Sequence, residues 1–313
     1  MRGPGDLPPR TASGTALLKA GWATQRERGS VWLLRLMAMF SLSLGRRAGR
    51  VVLYVIATYF FLFAPRARRA SMAYLRRVLG RKPTVRDRFR QVMAFATTIH
   101  DRVYLLNDRF ELFDISVEGE ELMRERARTG RGAFLVGAHL GSFEVTRALG
   151  RRHRDLRVAM VAYEDNARKI NALVAAINPE LAEGTVALGN AEAMLRVRGL
   201  LDEGAFVGML GDRTPGGEPT QVVEFLGGGA RFPLGPMRLA ALLQRRVILM
   251  LGIYRGANRY RVVFEEIADF SGVGRKDRDE AIRQAVVRYA GRLESYCRQY
   301  PYNWFNFFDF WAE

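Results

Sequence analysis

Residues 133–149 read AFLVGAHLGSFEVTRAL, an apolar run that leads through a short turn into a helical segment. The run over residues 133–138 is typical of a buried strand, and we expect a helix to begin at Phe143. Gly141 permits the tight turn between them. Strand, turn and helix in this order predict a unit of an α/β fold, with His139 at the carboxyl end of its strand.

Short apolar runs alternate with helical segments from about residue 110 onward. The predicted strands cover residues 113–117, 133–138, 157–163, 185–188, 206–210, 247–254 and 260–264. The predicted helices cover residues 143–149, 167–177, 191–201, 237–243 and 279–299. We expect a hairpin between the last two strands, across residues 256–258. The alternation predicts an α/β fold with a mostly parallel central sheet flanked by helices, whose ligand crevice lies beyond the carboxyl ends of the strands.

Charge divides the chain into two parts. Residues 1–110 contain 21 Lys+Arg against 5 Asp+Glu, whereas residues 111–313 contain 28 against 27. A region this basic indicates an anionic partner, such as a membrane surface, nucleic acid or an acidic protein. The sequence carries no helix-turn-helix, zinc-finger or RNA-recognition signature, so we expect no nucleic acid partner.

Two apolar runs lie in the basic part, over residues 31–44 and 51–64, and arginines border both. The second run has no charge, but it is shorter than the roughly 20 residues of a membrane-spanning helix. Whether these runs span the bilayer, lie in its interface or form a buried helical hairpin stays open, and we favour the interface. We therefore expect a disordered lead-in over residues 1–29, a basic helical membrane-associating region over 30–110 and an α/β domain over 111–313.

The few cysteine and histidine residues narrow the possible chemistry. A single cysteine, Cys297, excludes a disulfide framework and a cysteine-based metal cluster. Three histidines leave few ways to build a metal site, and we expect neither a metal nor a cofactor. His139 is the candidate for chemistry because it follows a buried strand, whereas we expect His100 to be a packing or surface residue and His153 to be solvated.

Glu144 follows His139 by five positions, at the start of the predicted helix. On one regular helix the two side chains would lie on different faces, but the intervening turn allows them to meet. A carboxylate bonded to one ring nitrogen stabilises the imidazolium and leaves the other nitrogen as a general base. The pair therefore predicts general-base catalysis.

This segment resembles the His-x4-Asp/Glu motif of the glycerolipid and lipid A biosynthesis acyltransferases. Further blocks of that family follow in the same order: GMLGDR at residues 208–213 with a Gly-rich turn at 215–217, FLGGGARFPLGP at 225–236, and the apolar strand VILMLGIY at 247–254. The resemblance runs from roughly residue 110 to the C-terminus and, more loosely, over the basic third. It implies a membrane-associated O-acyltransferase on the cytoplasmic face of the bacterial inner membrane.

The resemblance also implies roles for individual residues. His139 would take the proton from an acceptor hydroxyl, Glu144 would orient it, and the hydroxyl would attack the thioester of acyl carrier protein or coenzyme A. Backbone N–H groups of the Gly-rich turns and the Arg213 guanidinium are candidate donors to the thioester oxygen, with Asp212 positioning Arg213. The acceptor would be a lipid or lipid-like molecule. The substrate-binding residues would be Asp212, Arg213, Tyr163, Asn166 and Gly235.

The chain departs from the lipid A enzymes at the end of the second core strand. These enzymes typically have Tyr-Arg there, with an arginine that assists the phosphorylated acceptor, but here Tyr163 is followed by Glu164. A carboxylate repels phosphate, so lipid A is in doubt as the acceptor, although Arg168 could substitute for the arginine. The run YPYNWFNFFDFW at residues 300–311 is more similar to family members from polyketide-like and aryl-polyene pathways.

Plainer interpretations of these features stay open. Asp212 and Arg213 could form a structural ion pair, residues 227–229 could be an ordinary loop, and the aromatic tail could pack over the core rather than face an acyl chain. The whole protein could be an inactive membrane scaffold of the same fold, or a thioester hydrolase that uses the His–Glu pair on water. No Gly-x-Ser-x-Gly sequence supports a serine nucleophile.

Overall fold

The computed structural model describes residues 31–152, 157–178, 185–213 and 218–311, so the lead-in predicted over residues 1–29 lies outside the described residues. The strands of the described part are β1 (Asp114–Glu118), β2 (Phe134–Gly137), β3 (Val158–Tyr163), β4 (Thr185–Leu188), β5 (Phe206–Leu210), β6 (Thr220–Glu224), β7 (Gly229–Pro233), β8 (Arg246–Tyr254) and β9 (Arg259–Asp269). All of the predicted strands are present, with ends that differ by a few residues.

The central sheet has the strand order β1-β9-β8-β2-β5-β3-β4. The five strands from β8 to β4 run parallel, whereas β9 is antiparallel to β8 and β1 is parallel to β9. The prediction of a mostly parallel sheet is therefore confirmed, as is the hairpin that joins β8 and β9. A second hairpin, formed by β6 and β7, lies outside the central sheet and was not predicted.

Helices flank this sheet, as the sequence predicts. They are α1 (Val31–Phe63), α2 (Pro65–Leu79), α3 (Val85–Leu106), α4 (Glu120–Arg128), α5 (Phe143–Arg152), α6 (Glu164–Ile177), α7 (Ala191–Asp202), α8 (Gly235–Leu242) and α9 (Arg278–Gln299). The sequence did not predict α4, and α6 begins three residues before its predicted start because it follows β3 directly.

The strand β2 separates two apolar cores. Phe134 and Val136 belong to the core that includes α2, α7 and α9, whereas Leu135 belongs to the core that includes α3 and α5. Successive side chains of a strand point to opposite faces, so a strand covered on both faces must be apolar at every position. This is why the apolar run of residues 133–138 was recognisable as a buried strand.

The two apolar runs of the basic region form the single helix α1, interrupted at Gly45 by a non-helical backbone (φ 79°, ψ 165°). Over residues 38–63, one narrow face of α1 is buried, chiefly through small side chains such as Ala57. The rest of its surface exposes large apolar side chains at Met39, Phe40, Leu42, Leu44, Val51, Val52, Tyr54, Val55, Tyr59, Phe60, Leu62 and Phe63. An exposed apolar surface of this extent is typical of a membrane or protein contact.

Among the described helices, none alone has the length and hydropathy of a membrane span. The segments Ala38–Phe63 and Pro65–Leu79 meet that criterion only when taken together, and the chain bends by 92° between them.

Buried polar contacts attach α1 to the body of the molecule. The Arg46 guanidinium donates to both carboxylate oxygens of Asp101 on α3, at 2.7 and 2.8 Å. The hydroxyl of Tyr260 on β9 donates to the same carboxylate at 2.7 Å. His100 is buried against α1, with Nε2 3.1 Å from the Ser41 hydroxyl, so it is a packing residue.

Candidate active site

His139 and Asp212 lie side by side at the carboxyl edge of the sheet. They follow the adjacent parallel strands β2 and β5, in which Gly137 is paired with Leu210, so each residue stands two positions beyond this pair. Nδ1 of His139 lies 2.8 Å from Oδ1 of Asp212. The His139 side chain is 27% exposed and that of Asp212 is fully buried, so the carboxylate is enclosed while the imidazole still reaches solvent.

Asp212 accepts hydrogen bonds on both carboxylate oxygens. Oδ2 accepts from the backbone N–H of His139 at 2.9 Å and from Nε1 of Trp304 and Nδ2 of Asn306, both at 3.0 Å. Burial alone would raise the pKa of Asp212, but His139 and the charge of Arg213 together hold it well below its usual range. The ionised carboxylate can only accept, so Nδ1 of His139 carries the proton and Nε2 keeps its lone pair.

The imidazole of His139 is neutral at neutral pH. Burial lowers its pKa, the positive charges of Arg213 and Arg102 lower it further, and Asp212 opposes them without reversing the shift. A neutral imidazole that reaches solvent is suited to accept a proton from a substrate hydroxyl.

Glu144 does not occupy the position predicted for it as the partner of His139. It lies in the first turn of α5 and is buried, with Oε1 3.7 Å from Nε of Arg102 on α3. Asp212 binds the ring of His139 instead, because the pairing of β2 with β5 brings these two residues into register. The predicted pairing with Glu144 is therefore corrected to Asp212.

The turn after β2 requires glycine. Gly141 has φ 75°, and a Cβ atom there would overlap the carbonyl oxygen of Gly252 on β8. The Gly141 N–H donates to the carbonyl of Asn303 at 2.8 Å, and the Ser142 N–H donates to that of Gly252 at 2.6 Å. These two amides are engaged within the protein and are not available as donors to a thioester oxygen.

The C-terminal tail holds the Arg213 side chain. Nε of Arg213 donates to Oδ1 of Asn306 at 2.6 Å, and a terminal nitrogen donates to the carbonyl of Phe305 at 3.0 Å. Burial lowers the pKa of Arg213 to about 10, partly offset by the nearby charge of Asp212, so the guanidinium remains charged at neutral pH. The charge of Asp212 thus acts on Arg213, and the prediction that Asp212 positions it stays a prediction.

A cleft of about 530 Å³ opens on the same edge of the sheet, beyond β3, β4 and β5. Its walls are mainly apolar, with polar groups from Tyr163, Asn190 and Arg238. Tyr163 and Gly235, both predicted to bind substrate, line this cleft, whereas Asn166 lies half-buried on α6 and does not. The cleft residues are Tyr163, Leu188, Gly189, Asn190, Ala191, Met194, Met209, Gly235, Arg238, Leu239 and Leu242.

The Glu218 carboxylate lies beside the Tyr163 hydroxyl at the wall of this cleft. Burial, together with that carboxylate, raises the pKa of the Tyr163 hydroxyl, which therefore stays protonated. A Cβ atom on Gly235 would lie 2.7 Å from the same hydroxyl, so the glycine leaves room for it. Glu164 is exposed, and one of its carboxylate oxygens would lie 3.6 Å from a Cβ atom on Gly189.

The other Gly-rich segment closes the hairpin of β6 and β7. The Phe225 N–H donates to the Gly228 carbonyl at 2.8 Å, and the Gly228 N–H donates to the Phe225 carbonyl at 3.2 Å. These bonds across the turn are those expected for an ordinary loop. The Gly-rich turn predicted over residues 215–217 lies outside the described residues. Within the described ranges, no group of three or more His, Cys, Asp or Glu side chains is placed to hold a metal ion.

Sequence reasoning missed the contributions of Trp304 and Asn306. The aromatic run at residues 300–311 was noticed, but as a surface that either packs on the core or faces an acyl chain. Asn303 and Asn306 interrupt this run, and both are buried in the structure. Polar side chains inside an aromatic segment are a signal that the segment satisfies buried polar groups.

The comparisons with known proteins identify the family of this chain. The family model described as bacterial lipid A biosynthesis acyltransferase matches residues 23–312, which is nearly the whole chain. A search of curated proteins found no match. The match includes both strands that place His139 and Asp212 at the sheet edge, and it confirms the resemblance inferred from the ordered motifs. The chain belongs to the bacterial lipid A biosynthesis acyltransferase family and is an acyltransferase.

Proposed function

We propose that the protein moves a fatty acyl group from an acyl thioester to a hydroxyl of a lipid or lipid-like acceptor, with His139 as the general base. The observation that carries this proposal is the hydrogen bond between His139 and the ionised Asp212. It leaves Nε2 unprotonated at the carboxyl edge of the sheet, where α/β proteins bind their ligands.

The reaction needs no covalent enzyme intermediate. Nε2 of His139 takes the proton of the acceptor hydroxyl while that oxygen attacks the thioester carbonyl carbon. Asp212 stabilises the imidazolium that forms. The tetrahedral intermediate then collapses, the carbon–sulfur bond breaks, and the leaving thiolate takes the proton back from His139. The products are an ester and a free thiol.

Charge near His139 supports the transition state. The carbonyl oxygen becomes negative as the hydroxyl attacks, and a preorganised positive group stabilises it best in a site that excludes water. Arg213 is the candidate for this role because the tail holds it close to His139. Arg102 is a second nearby positive charge, whose partner is Glu144.

The cleft beyond β3, β4 and β5 fits the acyl chain. Its volume lies in the range of about 300–1,000 Å³ typical of small-molecule sites, and its walls are mainly apolar. Tyr163 and Gly235 would bind substrate there. Acyl carrier protein and coenzyme A are the candidate donors, since both present thioesters.

The acceptor would be a lipid or lipid-like molecule with a free hydroxyl. The family points to lipid A-like acceptors. Glu164 is exposed beside the cleft, and a carboxylate at that place disfavours a phosphorylated sugar. A lipid-like acceptor without phosphate near this position is compatible with the same chemistry.

The basic region over residues 30–110 would hold the enzyme on a membrane. The exposed apolar surface of α1 is bordered by arginines, a combination suited to the interface of an anionic bilayer. We propose the cytoplasmic face of the bacterial inner membrane as the location, because acyl thioesters are made in the cytoplasm. The same positive charge would attract an acidic carrier protein.

A labelling experiment tests the proposed reaction. Labelled acyl groups on acyl carrier protein or coenzyme A are incubated with a membrane extract of the source organism and with wild type, His139→Ala or Glu111→Gln. Glu111 is the control because its pair with Arg109 is exposed. We expect a labelled lipid from wild type and the control, and none from His139→Ala.

Other outcomes favour other functions. Equal labelling by wild type and His139→Ala would exclude His139 as the base. Labelled free fatty acid without an acceptor product would indicate a thioester hydrolase. No product from any of the proteins would indicate an inactive scaffold.

A further inference from the structure

The C-terminal segment over residues 303–306 runs beside the turn that carries the proposed base. The Asn303 carbonyl accepts from the Gly141 N–H at 2.8 Å, and the Phe305 N–H donates to the His139 carbonyl at 2.7 Å. The segment is therefore hydrogen-bonded to the backbone of the turn on both sides of Leu140, which forms a β-bridge with Trp304.

Within this segment, two side chains aim their donors at one oxygen atom. Nε1 of Trp304 and Nδ2 of Asn306 both lie 3.0 Å from Oδ2 of Asp212, and both residues are buried. Oδ1 of the same carboxylate is left for Nδ1 of His139. We propose that Trp304 and Asn306 are positioning residues for acyl transfer, which fix the Asp212 carboxylate so that it holds His139 in the reactive tautomer and orientation.

This inference rests on the proposed function, because the orientation of His139 matters for catalysis only if His139 acts as a general base. A carboxylate rotates easily about its last side-chain bond, where the preferences are broad. Donors from two side chains on Oδ2 remove that freedom. They also share the negative charge of the carboxylate, so that it attracts the imidazolium less strongly.

The helical layer holds Trp304 from the opposite side. The Trp304 carbonyl accepts from Nε2 of Gln91 on α3 at 2.7 Å. Oε1 of Gln91 in turn accepts from the Ser71 hydroxyl on α2 at 2.5 Å. All of these residues are buried, so the hydrogen bonds form a continuous path from α2 to Asp212.

Several charged and titratable groups act on His139 and must be held constant in any test. Asp212 and Arg213 follow β5, and Arg102 projects from α3. Glu144 on α5 is paired with Arg102, and Tyr289 on α9 donates to the Gly137 carbonyl below the site. Trp304→Phe changes none of these groups, and it keeps an aromatic ring in the cluster.

The test measures the pKa of His139 directly and kcat alongside it. The full-length protein in detergent is labelled at its histidines, and the imidazole resonances are titrated by NMR and assigned with His139→Ala. Trp304→Phe should raise the pKa of His139 by at least about 0.5 unit, because the carboxylate then attracts the imidazolium more strongly. With acyl thioester and acceptor, kcat should fall about ten-fold, the effect of one lost hydrogen bond to a charged group, while KM changes little.

Trp311→Phe is the matched control. Trp311 belongs to the same aromatic cluster, but its indole N–H donates to the Phe225 carbonyl at 3.2 Å. The control should leave both the His139 pKa and kcat unchanged. If Trp304→Phe does not fold, Asn306→Ala removes the other donor and is compared with its parent in an Arg213→Gln background, because Oδ1 of Asn306 also holds Arg213. The pKa of His139 should shift in the same direction.

The outcomes separate this inference from the proposed function. An unchanged His139 pKa in a folded Trp304→Phe protein, or an equal shift in Trp311→Phe, would overturn the positioning role. Absence of acyl transfer by wild type would instead remove the proposed function, whatever the titration shows.

Discussion

The chemistry of the site depends on the balance of effects on His139. Burial and the neighbouring charges of Arg213 and Arg102 favour the neutral imidazole, and Asp212 favours the protonated one. The neutral form is the one that accepts a proton. In the proposed mechanism, the site therefore combines a base that is free at neutral pH with a carboxylate that stabilises it once it becomes charged.

The pH dependence of catalysis follows from this balance. Activity requires the neutral imidazole, so kcat/KM should fall as pH decreases through the pKa of His139. Because that pKa lies below its ordinary value of 6.5, we expect full activity at pH 7 and the loss only at lower pH. A profile of kcat/KM from pH 4.5 to 8 checks this, and an acid limb centred above pH 7 would contradict it.

Asp212→Asn should reduce kcat by about 10²–10⁴-fold, the range associated with a general base. An amide in place of the carboxylate can turn its N–H toward Nδ1 of His139, which favours the tautomer with its proton on Nε2. The amide also has no negative charge to stabilise the imidazolium. Asp309→Asn is the matched control, because Asp309 is an exposed carboxylate of the same tail. A decrease of kcat by less than ten-fold in Asp212→Asn would show that His139 acts as a base without the carboxylate.

At the scale of secondary-structure elements, the close contact of α1 with α3 depends on one small residue. Gly49 on α1 faces His100 on α3, and a Cβ atom at Gly49 would overlap the imidazole ring. The ring is buried, with its Nε2 close to the Ser41 hydroxyl, so it has little room to move.

Gly49→Ala should therefore lower the free energy of unfolding by about 1–3 kcal/mol, as in other overpacked sites. Gly291→Ala is the matched control in α9, where a Cβ atom meets open space. There alanine should stabilise the helix by about 0.5–1 kcal/mol. Thermal unfolding of both variants in the same detergent measures the difference, and equal stabilisation would argue against the close packing of α1 on α3.

The cleft makes a prediction about acyl length. Met194 lines the cleft, whereas its neighbour Leu195 on α7 is 68% exposed. Met194→Trp should fill part of the space and shift selectivity toward shorter acyl chains, while Leu195→Trp should not. Competition between labelled donors of different chain length measures this, and unchanged selectivity in both variants would place the chain elsewhere.

The elements that sequence reasoning predicted are those with a local signal. The strand β2 is apolar throughout because it is covered on both faces, and the hairpin of β8 and β9 has a turn between two apolar runs. The hairpin of β6 and β7 was missed because its strands, TQVVE and GARFP, contain no long apolar run and pack outside the central sheet. The short charged helix α4 was missed because its buried surface is small.

The site was predictable only in part, for a related reason. His139 could be identified without knowledge of the fold, because it directly follows a buried strand. Its contact with Asp212 depends on which strand lies beside β2 and in which register, and a single sequence does not encode this locally. Glu144 was chosen as the partner because it was near in sequence. Trp304 and Asn306 are further still from His139 along the chain.

At the scale of the whole molecule, exposed apolar surface and positive charge are concentrated in the same part of the chain, the basic third. Most of the large apolar side chains exposed in the described residues lie on α1, and the basic third surrounds them. The neutral α/β part has no comparable patch among its described residues. This division predicts that membrane affinity resides in α1.

Phe60→Asp should weaken binding to vesicles of anionic lipid by about ten-fold or more, since burying a large apolar side chain contributes about 1.5–3 kcal/mol. Val287→Asp is the matched control, an exposed apolar residue on α9. Vesicle sedimentation at low and high salt measures the apolar and the electrostatic contributions to binding. Binding that responds neither to Phe60→Asp nor to salt would contradict the assignment of α1 as the membrane contact.

The hydrogen bonds of the tail to Asp212 also have a consequence for the order of events during translation. At about 5–20 residues per second, the ribosome makes Asn306 roughly 10–30 s after His139. Throughout that interval α1 has already been synthesised and is free to meet a bilayer, while Asp212, made partway through the interval, still lacks the donors of the tail. If α1 is the membrane contact, as we propose, the nascent chain can reach the bilayer before the proposed base and its carboxylate are held by the tail.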